Sequence, residues 1–124
     1  SAEPSGIYTD PTRNLWVADA GNNRIQKFNA KGEYLAQYGT EGSGNGQFKY
    51  PSGIEIDSSG NVWVADTENG RVQKLNSSGG YLSQFGTKGE GPGQLLYPTS
   101  LVTYASTYVW VVDRDRSEVQ MWTP

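Results

Sequence analysis

Pro51 to Tyr97 reads PSGIEIDSSGNVWVADTENGRVQKLNSSGGYLSQFGTKGEGPGQLLY, and Pro4 to Tyr50 reads the same way at a spacing of 47 residues, with no insertion. The two copies agree at 26 of 47 positions, and a third copy from Pro98 to Pro124 agrees with the second at 8 of 27. Self-similarity at a fixed period of this length marks an array of units, none of which buries its apolar face alone.

Within the second copy, Ile54 and Ile56 alternate around Glu55, as in a strand with one face to a core. SSGN turns the chain into the β-branched and aromatic run Val62 to Asp66. TENG turns it again into Arg71 to Asn76, and SSGG into Tyr81 to Gly86. Each copy is therefore predicted to be an antiparallel meander of four strands, joined to the next by a Gly-rich connection, with no helical periodicity. Four-stranded units repeated every 40 to 50 residues are the sequence form of β-propeller blades. The predicted fold class is all-β: blade one over 4–50, blade two over 51–97, and blade three over 98–124 without its last strand.

Trp16, Trp63 and Trp110 fall at one equivalent position. A buried Trp removes roughly 150–250 Å² from water, so the three are read as packing between blades.

Composition narrows the chemistry. The 124 residues contain no Cys and no His, which excludes disulfides, thiolate metal sites, the commonest zinc ligand and the commonest general base. A net charge of −3 provides no general field for polyanions, so nucleic acid is not an expected partner. No run approaches the roughly 20 apolar residues of a membrane span, and no membrane partner is expected.

The stretches VADAGNNRIQKFNAKGEYLAQYG (17–39) and VADTENGRVQKLNSSGGYLSQFG (64–86), with the connection ending GNGQF, resemble NHL-repeat β-propellers. The resemblance extends from Pro4 to about Trp122. It implies that the Asp closing the second strand and the Arg opening the third are paired, here Asp19 with Arg24 and Asp66 with Arg71. The third copy keeps Asp113, places Glu118 at the Arg position and moves Arg114 and Arg116 into the turn. The Arg role in blade three is then either lost or taken over by Arg116. The resemblance also implies a six-bladed ring, of which three copies are half. An arc of three blades would leave an apolar sheet face open at each end; either two chains close one ring as a homodimer, which is the expectation here, or the chain is an excised piece of a longer propeller. A bacterial extracellular or cell-surface setting is the one the resemblance leans to.

Function is expected to be a non-enzymatic scaffold that binds a protein or peptide, without cofactor, metal or catalytic residues. The candidate binding surface is the set of turns between second and third strands: Asp19, Asn23, Arg24, Asp66, Asn69, Arg71, Asp113, Arg114 and Arg116. One alternative is a propeller lectin, for which Tyr50, Tyr97 and Tyr108 are the better stacking candidates. The other is a calcium-dependent lactonase or hydrolase, which the resemblance allows. Its ligands would be hard oxygens on the inner strands, and Glu55 faces only Tyr8 and Val102 at equivalent positions, while Asp10 and Asp57 give way to Tyr104.

Overall fold

The computed structural model describes residues 4–105 and 107–123. Blade one consists of β1 (Pro4–Thr9), β2 (Leu15–Asp19), β3 (Arg24–Phe28) and β4 (Tyr34–Tyr38), paired in that order. Blade two repeats it with β5 (Pro51–Ile56), β6 (Val62–Asp66), β7 (Arg71–Leu75) and β8 (Tyr81–Phe85). Blade three has three strands, β11 (Pro98–Tyr104), β12 (Tyr108–Asp113) and β13 (Glu118–Trp122), and all pairings within blades are antiparallel. The Gly-rich connection after blade two is more ordered than its composition suggests: β9 (Thr87–Lys88) runs parallel to β10 (Gln94–Leu95) within it.

The turns are set by side chains that copy backbone bonds. Asp10 Oδ1 accepts the amides of Thr12 and Asn14, and Asp57 Oδ1 those of Ser59 and Asn61. Asn29 and Asn76 do the same for the turns before β4 and β8. Between second and third strands the chain makes one 3₁₀ turn and then a residue at positive φ: Asn23 at 54°, Gly70 at 61° and Ser117 at 53°. At Gly70 a Cβ would stand 2.5 Å from the Lys88 Cα, so the turn shape and the passing connection both favour glycine there.

Blades stack face to face. We call the face toward the following blade trailing and the face toward the preceding blade leading. Trp16, on the trailing face of blade one, lies in one core with Ile54, Ile56, Val62, Val64 and Leu75 of blade two. Trp63 repeats this against Leu101, Val109 and Val111 of blade three. The two indoles are 1% and 2% exposed, and each donates its N–H to the turn aspartate beneath it, Trp16 to Asp10 and Trp63 to Asp57, both at 2.9 Å. Lys27 and Lys74 cover the outer side of these rings at 4.8 and 5.0 Å.

Trp110 departs from this packing. It occupies the same place on the trailing face of blade three, where no further blade covers it in this chain, and it is 45% exposed.

The inner strands approach closely. A Cβ on Gly6 would stand 2.9 Å from the Ser52 carbonyl oxygen, and one on Gly53 2.6 Å from that of Thr99. Glycine at this third position of the inner strand is what lets neighbouring blades reach their spacing.

Candidate functional site

Three places gather polar or exposed apolar groups, and the strand-two to strand-three turns come first. Asp66 is fully buried and receives Arg71 Nε at 2.7 Å, Asn69 Nδ2 at 2.9 Å, Gln73 Nε2 at 3.1 Å and the Lys49 amide at 2.7 Å. Arg71 donates onward to the carbonyls of Ser43, Gly44 and Gln47 at 2.8–2.9 Å and to Gln84 Oε1 at 2.9 Å. Asn69 also donates to the Gly42 carbonyl. These side chains clamp the Gly-rich connection that arrives from blade one, and Phe48 plugs the core beneath it.

Blade three keeps the clamp by different means. Asp113 is buried and accepts the amides of Leu96 and Tyr97 at 2.8 and 2.9 Å. Arg116 takes over the carbonyls, donating to Gly91 and Gln94 at 2.9 Å, and pairs at 3.1 Å with Glu118, which stands where Arg71 stands in blade two. The exchange of Asn and Arg for Arg and Glu thus preserves the loop contact. In blade one Asp19 is buried, with Arg24 Nε at 3.0 Å, and the Arg24 side chain is 30% exposed. Asn23 Oδ1 accepts the Tyr50 amide at 2.8 Å. Arg114 lies 3.9 Å over the Tyr97 ring and pairs with Asp115.

Of the nine candidate residues, Asp19, Asp66, Asp113 and Arg71 are buried and engaged with the chain itself. Asn23, Asn69 and Arg116 are half-buried and bonded to connections between blades. Arg114 is open to solvent, and Arg24 is partly so. Among the lectin candidates, Tyr97 is covered by Arg114, Tyr50 is half-buried and Tyr108 is exposed.

The second place is a hollow of about 420 Å³ at one end of the inner strands, lined in part by Tyr8, Asp10, Glu55, Asp57 and Thr103. Glu55 is 8% exposed and its Oε2 accepts the Thr103 amide on the inner edge of blade three. Burial, reinforced by the charge of Asp57 and opposed by the Thr103 bond, pushes the Glu55 carboxyl above its ordinary range. Burial acts in the same direction on Asp10. Bonds from Trp16, Thr12 and Asn14 outweigh it and hold that carboxyl below its usual value. Among the described residues no three His, Cys, Asp or Glu side chains are grouped to hold a metal ion. Asp10 and Asp57 serve as turn formers and indole anchors.

The third place is the trailing face of blade three, one of the two open ends of the arc. Strand register puts Ser100, Val112 and Val119 in one row, Val102, Trp110 and Met121 in the next, and Tyr104 beside Tyr108. All eight are exposed, seven are apolar or aromatic, and none is charged. The matching rows of the covered faces are Gly6, Ala18, Ile25 with Tyr8, Trp16, Lys27, and Gly53, Ala65, Val72 with Glu55, Trp63, Lys74. Tyr104 and Tyr108 stand where the other blades have Asp10 or Asp57 and Asn14 or Asn61. Aligning all three copies position by position carries this signal. It is easily passed over because each change, taken alone, looks like ordinary divergence.

Comparison with known proteins finds an NHL repeat model matching residues 2–28 and 48–75. No curated protein matches the chain in sequence. Among solved structures, a streptogramin B lyase superposes with a TM-score of 0.71 at 17% identity, over 99% of this chain and 41% of its own. A catalytically inactive histidine-to-alanine variant of virginiamycin B lyase from Staphylococcus aureus, with quinupristin, gives 0.69 at 21% identity over 99% and 42%. A protein of unknown function from Bacteroides thetaiotaomicron gives 0.75 at 19% identity over 90% and 32%. The chain spans less than half the length of each, and identities this low carry the fold alone. Their architecture and the stacked four-stranded sheets agree: the chain has the blade architecture of a β-propeller, with the NHL repeat matched at 2–28 and 48–75 and a diverged third blade after them.

Proposed function

We propose that the chain is a non-enzymatic interaction scaffold, in which two regular NHL blades support a third whose trailing face docks a protein. The observation that carries this is the composition of that face: seven apolar or aromatic side chains and one serine, all exposed, with no charge. Contiguous apolar surface of this kind on a folded chain marks an interaction site. Its content of Tyr, Trp and Met without Lys, Glu or Asp is that of an interface core. The turn carboxylates and Arg71, by contrast, are engaged in holding connections between blades.

The test is the binding of an apolar fluorescent dye such as bis-ANS to dilute folded protein. The chain should bind it, and Tyr104→Asp with Met121→Lys, which returns to the face the residues that blades one and two carry, should abolish the signal with circular dichroism unchanged. Equal dye binding by both proteins would refute the reading.

A second reading is turnover in the hollow, favoured by the raised Glu55 carboxyl, since perturbed acids in clefts are candidate acid–base groups. The lyase whose histidine variant is inactive is matched in fold alone, and these 124 residues contain no histidine. Hydrolysis of ester or lactone substrates, lost in Glu55→Gln, would establish this reading over the first.

A further inference from the structure

We infer that the trailing face of blade three docks the same face of a second copy, giving a two-fold dimer; this rests on the docking surface proposed above. Three features of the face distinguish it from the faces that receive a regular blade.

The first is steric. Gly6 and Gly53 occupy the point of closest approach between inner strands, where a Cβ would stand 2.9 or 2.6 Å from the next blade's carbonyl oxygen. Ser100 stands at that point in blade three and carries a Cβ. Val112 replaces the fully buried Ala18 and Ala65 beside it. A blade of the regular kind cannot seat there at the regular spacing without displacing backbone.

The second is polar. The aspartate that anchors each buried indole has become Tyr104, and the lysine that covers it has become Met121. Val102 stands where Glu55 reaches across to the Thr103 amide. Three polar side chains of the covered faces are thus replaced by Tyr104, Met121 and Val102, while Thr99 keeps a hydroxyl where Ser5 and Ser52 bond to the next blade's carbonyls.

The third is charge. Each copy carries a net charge of −3, so two copies repel at long range. The face itself presents no charge, so joining it to its twin brings no like charges into contact and leaves no ion unpaired. A two-fold axis supplies an identical apolar surface to both sides and closes the assembly at two. The leading face of blade one also stands open, with Ile7 65% exposed, but it has the shape that follows a glycine and alanine, not Ser100 and Val112.

Sedimentation velocity of the chain over a wide concentration range tests the inference. A monomer–dimer equilibrium with no larger species is expected. Tyr104→Asp with Met121→Lys should weaken the dimer more than tenfold while strand content is unchanged, and Met121→Lys alone should act in the same direction. Ile7→Lys, on the leading face, should leave the dissociation constant within about twofold. A monomer at every concentration overturns the inference. If the monomer still binds bis-ANS and the double variant does not, the docking surface stands without the second copy; if neither binds, both fall. Equal weakening by Ile7→Lys would replace the two-fold dimer with the head-to-tail ring of two half-propellers, and growth beyond two copies would indicate an open head-to-tail chain.

Discussion

Replacing Asp66 with Asn should be the most destabilising isosteric change in the three equivalent turns. The native carboxylate is fully buried and accepts four bonds, one of them charge-assisted from Arg71 at 2.7 Å. An amide in its place presents donors to donors and leaves the guanidinium, only 5% exposed, without its counter-charge. Breaking a buried pair from one side costs about 3–5 kcal/mol. The same change at Asp113 leaves one of two backbone amides without its acceptor and strands no guanidinium, a loss of about 1–3 kcal/mol. At Asp19 the partner Arg24 is 30% exposed and water can take over its solvation, so the cost should be smaller than at Asp66. Urea unfolding followed by circular dichroism measures all three. With a slope of about 2 kcal/mol per molar, Asp66→Asn should lower the midpoint by about 2 M. Were Asp66→Asn and Asp19→Asn to unfold at the same midpoint, the buried clamp would not be the source of the connection's order.

Other consequences follow from the same contacts. Trp63→Phe should cost about 1–3 kcal/mol through the lost bond to Asp57 and the lost ring volume, whereas Trp110→Ala should change the unfolding of the dilute monomer by less than about 0.5 kcal/mol; denaturant titrations of both check this. Glu55 has a folded value raised above its ordinary 4.5, so its contribution to stability is complete below that value and is lost as pH rises through the raised one. Glu55→Gln should therefore be more stable than the native chain near neutrality, with the difference vanishing on acidification below 4.5; unfolding midpoints across pH read this directly, and the opposite trend would contradict the placement of Glu55.

The repeated copies made the architecture legible because each strand carried its own pattern and each turn its own device. Ile54 and Ile56 alternate around Glu55 as an inner strand with one apolar face, and TENG makes the turn before β7. The Asp to Arg pairs were legible from the resemblance, but their depth was not. A turn aspartate looks solvent-exposed in sequence, and only the Gly-rich connection folding back from the preceding blade buries Asp66 and Asp113. That contact spans many residues and leaves no local periodicity. Arg116 shows the same limit: its takeover of the carbonyls depends on a turn that places residue 116 where Arg71 would reach. The trailing face was hidden for another reason. Strand alternation puts Trp110 on a buried-looking face, and register is needed to reveal Met121 and Val102 at its sides.

Met121 is the sole methionine of the chain and lies beside Trp110 in the middle row of that face, on its outer strand, 52% exposed. Its oxidation by dilute peroxide, read as a mass increase on one peptide, therefore reports directly whether the face is covered. Oxidation should be fast in dilute protein, slow down as concentration rises along the same curve as dimer formation, and stay fast at all concentrations in Tyr104→Asp. A rate independent of concentration in the native chain would contradict docking through this face.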